Sequence, residues 1–182
     1  MFLRNGFAAT SIEAISVKAG VSKRTLYARF PDKDAVFLAV VHRLIGTWLT
    51  GFDTAVEGAP SLETALLAAG RHMLAVALTP SALALHRLVV AEAGRFPDLA
   101  VALRDGGARV GIERLCRLLQ RHRPDASPGH LAFLAEQFQH LVLAGPQARA
   151  LGLGDRLDDD ALAAWCQASA IMFLRAIPGA EP

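Results

Sequence analysis

The sequence predicts an all-α chain with an N-terminal helix-turn-helix head joined to a longer helical body. Three observations carry that expectation. Apolar residues recur at three- and four-residue spacing, with few alternating strand patterns. Glycine and proline clusters divide the chain into helix-length pieces. With 53% hydrophobic and 20% charged residues in 182, the chain has ample material for a packed core and is too apolar for disorder.

The head comes first. Met1-Phe2-Leu3-Arg4 reads as the final turn of a helix that ends before Asn5-Gly6. From Ser11 to Ala19 the apolar positions Ile12, Ile15 and Ala19 share a face, and Thr10 or Ser11 is placed to cap the first free amides. Gly20 supplies a turn, Val21 is expected to plug the core, and Ser22 caps a second helix that runs to about Phe30. A further helix is expected to begin near Asp34, after Phe30-Pro31-Asp32-Lys33.

The second of these helices has two chemically different faces. Leu26, with Val21 and Phe30, is expected to face inward, leaving Lys23, Arg24, Thr25, Tyr27 and Arg29 outside. Such a face suits the major groove of double-stranded DNA. Arg and Lys donate to guanine O6 and N7, Thr meets a base edge or methyl group, and Tyr reaches phosphate. Charge supports the placement. Residues 1–43 hold seven basic and three acidic groups, a balance of +4, whereas the remaining 139 carry a balance of −2.

The body follows as a series of expected helices: Asp34 to about Phe52, Leu62–Leu78, Ser81–Gly94, Asp98–Arg121, Leu131–Leu143 and Asp159–Ile177. They are punctuated at Pro60, Thr79-Pro80, Phe96-Pro97, Pro124 to Pro128, and Gly145-Pro146 with Gly152 and Gly154. Domain boundaries are accordingly expected at 1–42 for the head and 43–182 for the body.

Several function classes are disfavoured. The six histidines are scattered, there is no HExxH, and Cys116 and Cys166 lie fifty positions apart, so neither a metal site nor a catalytic residue is expected. No apolar run reaches the roughly 18–20 residues needed to span a bilayer, and the opening residues lack a secretory signal's order. The expectation is a cytoplasmic protein with no membrane partner and no cofactor.

The stretch Gly6 to Phe37 resembles the DNA-binding head of the TetR family of transcriptional regulators. The resemblance rests on Thr10-Ser11-Ile12, Ile15, Ala19-Gly20-Val21-Ser22, Thr25-Leu26-Tyr27, Phe30 and Lys33. It implies Lys23, Arg24, Thr25 and Arg29 as base readers, and Thr10, Ser22, Tyr27 and Lys33 as phosphate contacts. Two departures stand out: the first helix is represented by its last turn alone, and Ser16 occupies a position where the family usually has alanine. The Ser16 hydroxyl is expected to bond back to a helix carbonyl.

The resemblance also implies a homodimer whose body takes a small, mostly apolar organic effector, with release from a palindromic operator as the outcome. Effector contacts are expected from Trp48, Phe52, His72, Met73, Val76, His86, Val90, Phe133, Gln137 and His140. The last two helices are the expected dimerisation pair, through Leu134, Phe138, Leu141, Trp165, Ala170, Phe173 and Leu174, with small residues such as Ala164 and Ala168 allowing close approach. A helical dimeric small-molecule-binding protein with lost or weak DNA binding is the alternative. The sequence leaves repression and activation both open.

Overall fold

The computed structural model describes residues 1–48, 51–97, 101 and 107–177, with the side chains of Ile45, Thr47 and Trp48 outside the description. Among the described residues every regular element is a helix: α1 Phe2–Asn5, α2 Ile12–Ala19, α3 Lys23–Arg29, α4 Lys33–Trp48, α5 Phe52–Val56, α6 Leu62–Ala77, α7 Pro80–Glu92, α8 Arg109–His122, α9 Pro128–Ala150 and α10 Asp159–Ala176. The all-α prediction holds. None of these helices is by itself long and apolar enough to cross a membrane.

The chain forms two compact units. One comprises Met1–Trp48 with Ala84–Gly107, and the other Leu49–Leu83 with Ala108–Pro182. A boundary at residue 42 or 43 therefore omits a piece of the first unit, since most of α7 and the segment after it belong with the head. The reason is aromatic packing. Phe2, Phe7 and Phe37 form a buried cluster, and Phe96 meets Phe7 edge-on at 4.8 Å between ring centroids. Leu85, Leu88 and Val89 of α7 join the same core.

In the second unit, α5, α6, α8, α9 and α10 enclose a core that includes Leu66, Leu115, Leu119, Phe138, Val142 and Cys166. Local chemistry sets the helix starts. Ser61 and Thr64 form a capping box on α6, Ser127 caps α9 with Pro128 at its first position, and Asp158 caps α10. Asp159 and Asp160 add negative charge where the helix dipole favours it. Cys116 and Cys166 are free thiols.

Two departures from the expected helix boundaries have a visible physical cause, and the helix start expected at Asp98 lies outside the described residues. The helix expected from Asp34 to Phe52 is interrupted at Gly51, and a new one starts at Phe52. Gly51 adopts φ +89, a backbone that L side chains rarely adopt and that interrupts a right-handed helix. Conversely, α9 continues through Gly145-Pro146 to Ala150. Pro146 has no amide to donate to the carbonyl of Val142, four residues earlier. The indole N–H of Trp165 donates there instead, at 3.1 Å, and to Leu141 O at 3.2 Å. Gly145 makes room for that ring, because a Cβ at this position would fall 2.5 Å from Trp165.

Candidate nucleic-acid interface and effector site

The helix-turn-helix is built from short-range bonds. Ser11 Oγ accepts from Ala14 N at 3.1 Å, settling which of Thr10 and Ser11 caps α2. Gly20 closes α2 in the left-handed region, and Ser22 Oγ accepts from Thr25 N at 3.0 Å to open α3. Helix α3 buries none of its residues completely. Leu26 and the following Phe30 are the partly buried side chains that seat it on the aromatic core. Val21, expected inside, is 38% exposed, so the turn is held by backbone bonds such as Val21 N to Ser16 O rather than by a valine plug. Ser16 Oγ is buried with no hydrogen-bond partner, against the expected bond to a helix carbonyl.

The eight DNA-contact candidates fall into three groups. Arg24, Tyr27 and Arg29 are exposed, and among the described residues Arg24 makes no hydrogen bond or ion pair. Arg29 lies 6.0 Å from the ring centre of its neighbour Phe30. The second group is engaged, with Ser22, Lys23 and Thr25 exposed and Lys33 half-buried. Lys23 pairs with Glu13 of α2, and the Thr25 hydroxyl shares a 2.8 Å hydrogen bond with that of Ser22. The hydrogen bond from Lys23 holds the Glu13 carboxyl below its ordinary pKa. Lys33 donates to Ala8 O at 3.2 Å and stands 4.3 Å from the centre of the Phe7 ring. Thr10 is the exception. It is fully buried and its hydroxyl donates to Gly6 O at 2.8 Å, so it has no surface for a phosphate.

The effector candidates do not form one wall. Phe52 and His72 meet edge-on at 5.9 Å, with Met73 buried and Val76 partly buried on the same helix as His72. His72 Nε2 is buried without a partner, and so is Nε of Arg114, whose guanidinium pairs with Asp53 at 3.3 Å. Burial, and then the Arg114 charge, lowers the His72 pKa from its ordinary 6.5 and keeps the ring neutral at pH 7. His86 and Val90 belong to the other unit, and Val90 is 65% exposed. Phe133, Gln137 and His140 are exposed on α9, away from the core side of that helix. The Trp48 side chain lies outside the described residues. A cleft of about 300 Å³ occurs in the head, lined by α1, α2 and α4 residues including Leu3, Ile15, Val40 and Leu44, and none of the effector candidates lines it.

The dimerisation candidates also need correction. Leu134, Phe138, Ala170 and Phe173 are buried in the second unit's own core, where Phe138 and Phe173 pack at 5.0 Å. A side chain spent inside a protomer has no area left for a partner. Leu141 and Leu174 are partly buried against that core, and Trp165 is committed to the α9 carbonyls. The exposed residues of the same two helices include Phe133, Gln137, His140 and Ala144 on α9, and Ala164, Ala168 and Met172 on α10. Sequence periodicity finds the amphipathic helices but does not say which apolar stripe their own chain covers.

Two cations were missed. Arg114 sits among charged and apolar residues on α8 with no local motif to single it out. Arg95 follows α7 in an irregular stretch, yet its guanidinium lies 4.9 Å from the Phe7 ring centre.

Family models match both parts of the chain: residues 1–40 fit the bacterial regulatory proteins of the TetR family, and residues 64–176 fit the C-terminal domain of AefR-like transcriptional repressors. The transcriptional regulator EthR of Mycolicibacterium smegmatis is 42% identical over 55 residues, which are 30% of this chain and 25% of that protein. RutR of Escherichia coli K12 is 42% identical over 48 residues, 26% of this chain and 23% of that protein. The chain thus aligns with about a quarter of the length of those two relatives. Similarity to solved structures is broader. A chain from Mesorhizobium loti MAFF303099, described as a TetR-family transcriptional regulator, superposes with a TM-score of 0.85 at 28% identity, covering 96% of this chain and 89% of that one. The flavonoid-responsive regulator FrrA superposes at 0.73 with 33% identity, covering 96% and 90%. With a family model spanning well over half of its length and a head built as described above, the chain belongs to the TetR family of bacterial regulatory proteins.

Proposed function

We propose that the protein is a homodimeric DNA-binding transcriptional repressor that leaves a palindromic operator when its body takes up a small organic effector. The observation that carries this reading is α3. Its capped start is fixed, its apolar contacts are confined to Leu26 and the adjoining Phe30, Arg24 and Tyr27 stand exposed three residues apart on one face, and Arg29 is exposed near the helix end. Arg24 and Arg29 are the base readers, with Thr25 and Lys23 joining once they exchange Ser22 and Glu13 for DNA. Ser22, Tyr27 and Lys33 contact backbone phosphates. The match of the body to AefR-like repressors supports repression.

The effector binds in the second unit around Phe52, His72 and Met73. His72 Nε2 and Arg114 Nε have unmet hydrogen-bonding capacity beside apolar surface, which suits a mostly apolar molecule carrying a few oxygen atoms. FrrA's response to flavonoids supports an organic effector. Dimerisation uses the outward stripe of α9 and α10, where Ala164 and Ala168 allow close approach and Phe133 and Met172 supply apolar area. An Ala168→Arg variant is expected to halve the mass measured by light scattering while remaining folded, and an unchanged mass would place the interface elsewhere.

Selection from a random pool of duplex DNA tests the reading as a whole. It is expected to enrich an inverted repeat with half-sites about 34–36 Å apart, or a multiple of that distance. Failure to enrich any sequence would favour a small-molecule-binding dimer without DNA recognition.

A further inference from the structure

We propose that Lys33 and Arg95 together form a clamp for a backbone phosphate of duplex DNA, with Arg95 supplied from outside the helix-turn-helix. Both cations stand on one buried ring. Phe7 is 2% exposed, with Lys33 Nζ 4.3 Å and the Arg95 guanidinium carbon 4.9 Å from its centre. Those two distances put the cations no more than about 9 Å apart, where like charges still repel, and among the described residues neither has a carboxylate partner. The attraction of each to the face of Phe7 offsets part of that cost, as does the stacking of Arg95 on Phe96 at 5.0 Å. An anion between them removes the rest.

Arg95 is placed rather than loosely tethered. Its amide donates to Glu92 O at 3.0 Å and that of Phe96 to the same oxygen at 2.8 Å, closing a turn at the end of α7. Phe96 is then locked edge-on against Phe7 and Phe37, at 4.8 and 6.0 Å. This anchoring brings the guanidinium to the same ring as Lys33 although the two are far apart in sequence, and both belong to the same compact unit.

The donor chemistry selects the ligand. Lys33 spends one of its three N–H groups on Ala8 O, and the described hydrogen bonds use none of the five on the Arg95 guanidinium. A phosphodiester, with two unesterified oxygens and a full negative charge, matches a point cation beside a planar fork. Lys33 opens α4 four residues after α3 ends, so a duplex engaged by α3 has its backbone close by. The inference rests on the DNA-reading function proposed above and extends its contact surface beyond the helix-turn-helix.

The test is a salt titration of binding to the selected duplex and to a scrambled one, using the full chain and the variants Arg95→Met, Arg95→Lys and Arg24→Ala. Methionine keeps an apolar stem over Phe7 and removes the charge. Arg95→Met is expected to weaken both duplexes by about tenfold, the size of one charge-assisted contact. It should also make the slope of log affinity against log salt shallower by about 0.9. Arg95→Lys should recover most of that slope, a result that lost packing over Phe7 would not give. Unchanged affinity and slope in Arg95→Met, with selectivity lost in Arg24→Ala, would overturn the clamp and leave the DNA-reading function standing. Equal binding of both duplexes by the unaltered chain would overturn both.

Discussion

Helix α3 buries none of its seven residues, whereas α9 buries seven of its twenty-three, Phe138 and Val142 completely. Both helices begin in the same way, with a serine accepting from the amide three residues on. What differs is where the rest of the surface is spent. Helix α9 is bound to its own chain by apolar contacts and by a tryptophan that repairs its broken ladder. Helix α3 is held at its ends and through Leu26, leaving charged and aromatic groups outward. An element that enters another molecule's groove keeps its recognition surface unspent, and an element that carries a core does not.

The sharpest way to break this contrast is to compare stability losses. Phe138→Ala is expected to lower unfolding free energy in urea by about 3–5 kcal/mol, because it leaves a cavity in a fully buried site. Arg24→Ala should change it by less than about 0.5 kcal/mol, as an exposed side chain without a partner among the described residues. Comparable losses would mean that α3 is part of a core after all.

The repair within α9 offers the next largest effect. Trp165→Phe removes the donor to Val142 O and should cost about 1–3 kcal/mol. Adding Pro146→Ala to that variant returns the backbone amide and should recover part of the loss, giving a coupling that the two single changes do not predict. Strict additivity would show that the indole bond is incidental to the continuous helix.

On the reading side, Arg24→Ala should cost about 1–3 kcal/mol at one base pair and relax preference there. Lys33→Ala should weaken every duplex alike and flatten the salt dependence. A uniform loss from Arg24→Ala would move that residue from the bases to the backbone.

The smallest effect is a pH dependence. The His72 pKa is lowered in the folded chain, so below 6.5 the unfolded chain binds a proton that the folded one does not. Stability therefore falls as pH drops below 6.5, and the penalty is complete once pH passes below the lowered folded value. Melting followed between pH 7.5 and 5.5 should show a shallower decline in His72→Gln than in the unaltered chain. Identical declines would remove His72 as a half-buried neutral ring.

Legibility in the sequence followed the range of the interactions. Ser11 and Ser22 accept from amides three residues on and the Gly20 amide donates to carbonyls three and four residues back, so the head's helix starts and stops could be read locally. The continuation of α9 past Pro146 depends on Trp165, in a different helix, and no local pattern shows it. Burial had the same limit. Leu134 and Phe133 are adjacent and both apolar, yet one lies in the core and the other is 56% exposed. Thr10 has the residue type of a phosphate contact but points its hydroxyl at Gly6 O. Arg95 reaches the head through Phe96, an aromatic contact made across most of the first unit's sequence.

The central claim is that α3 reads sequence, and the ratio of affinities for the selected duplex and a scrambled duplex at physiological salt measures it directly. A ratio of about a thousand or more is expected for a specific reader, falling sharply in Arg24→Ala. A ratio near one, with both duplexes bound only through salt-sensitive backbone contacts, would contradict it.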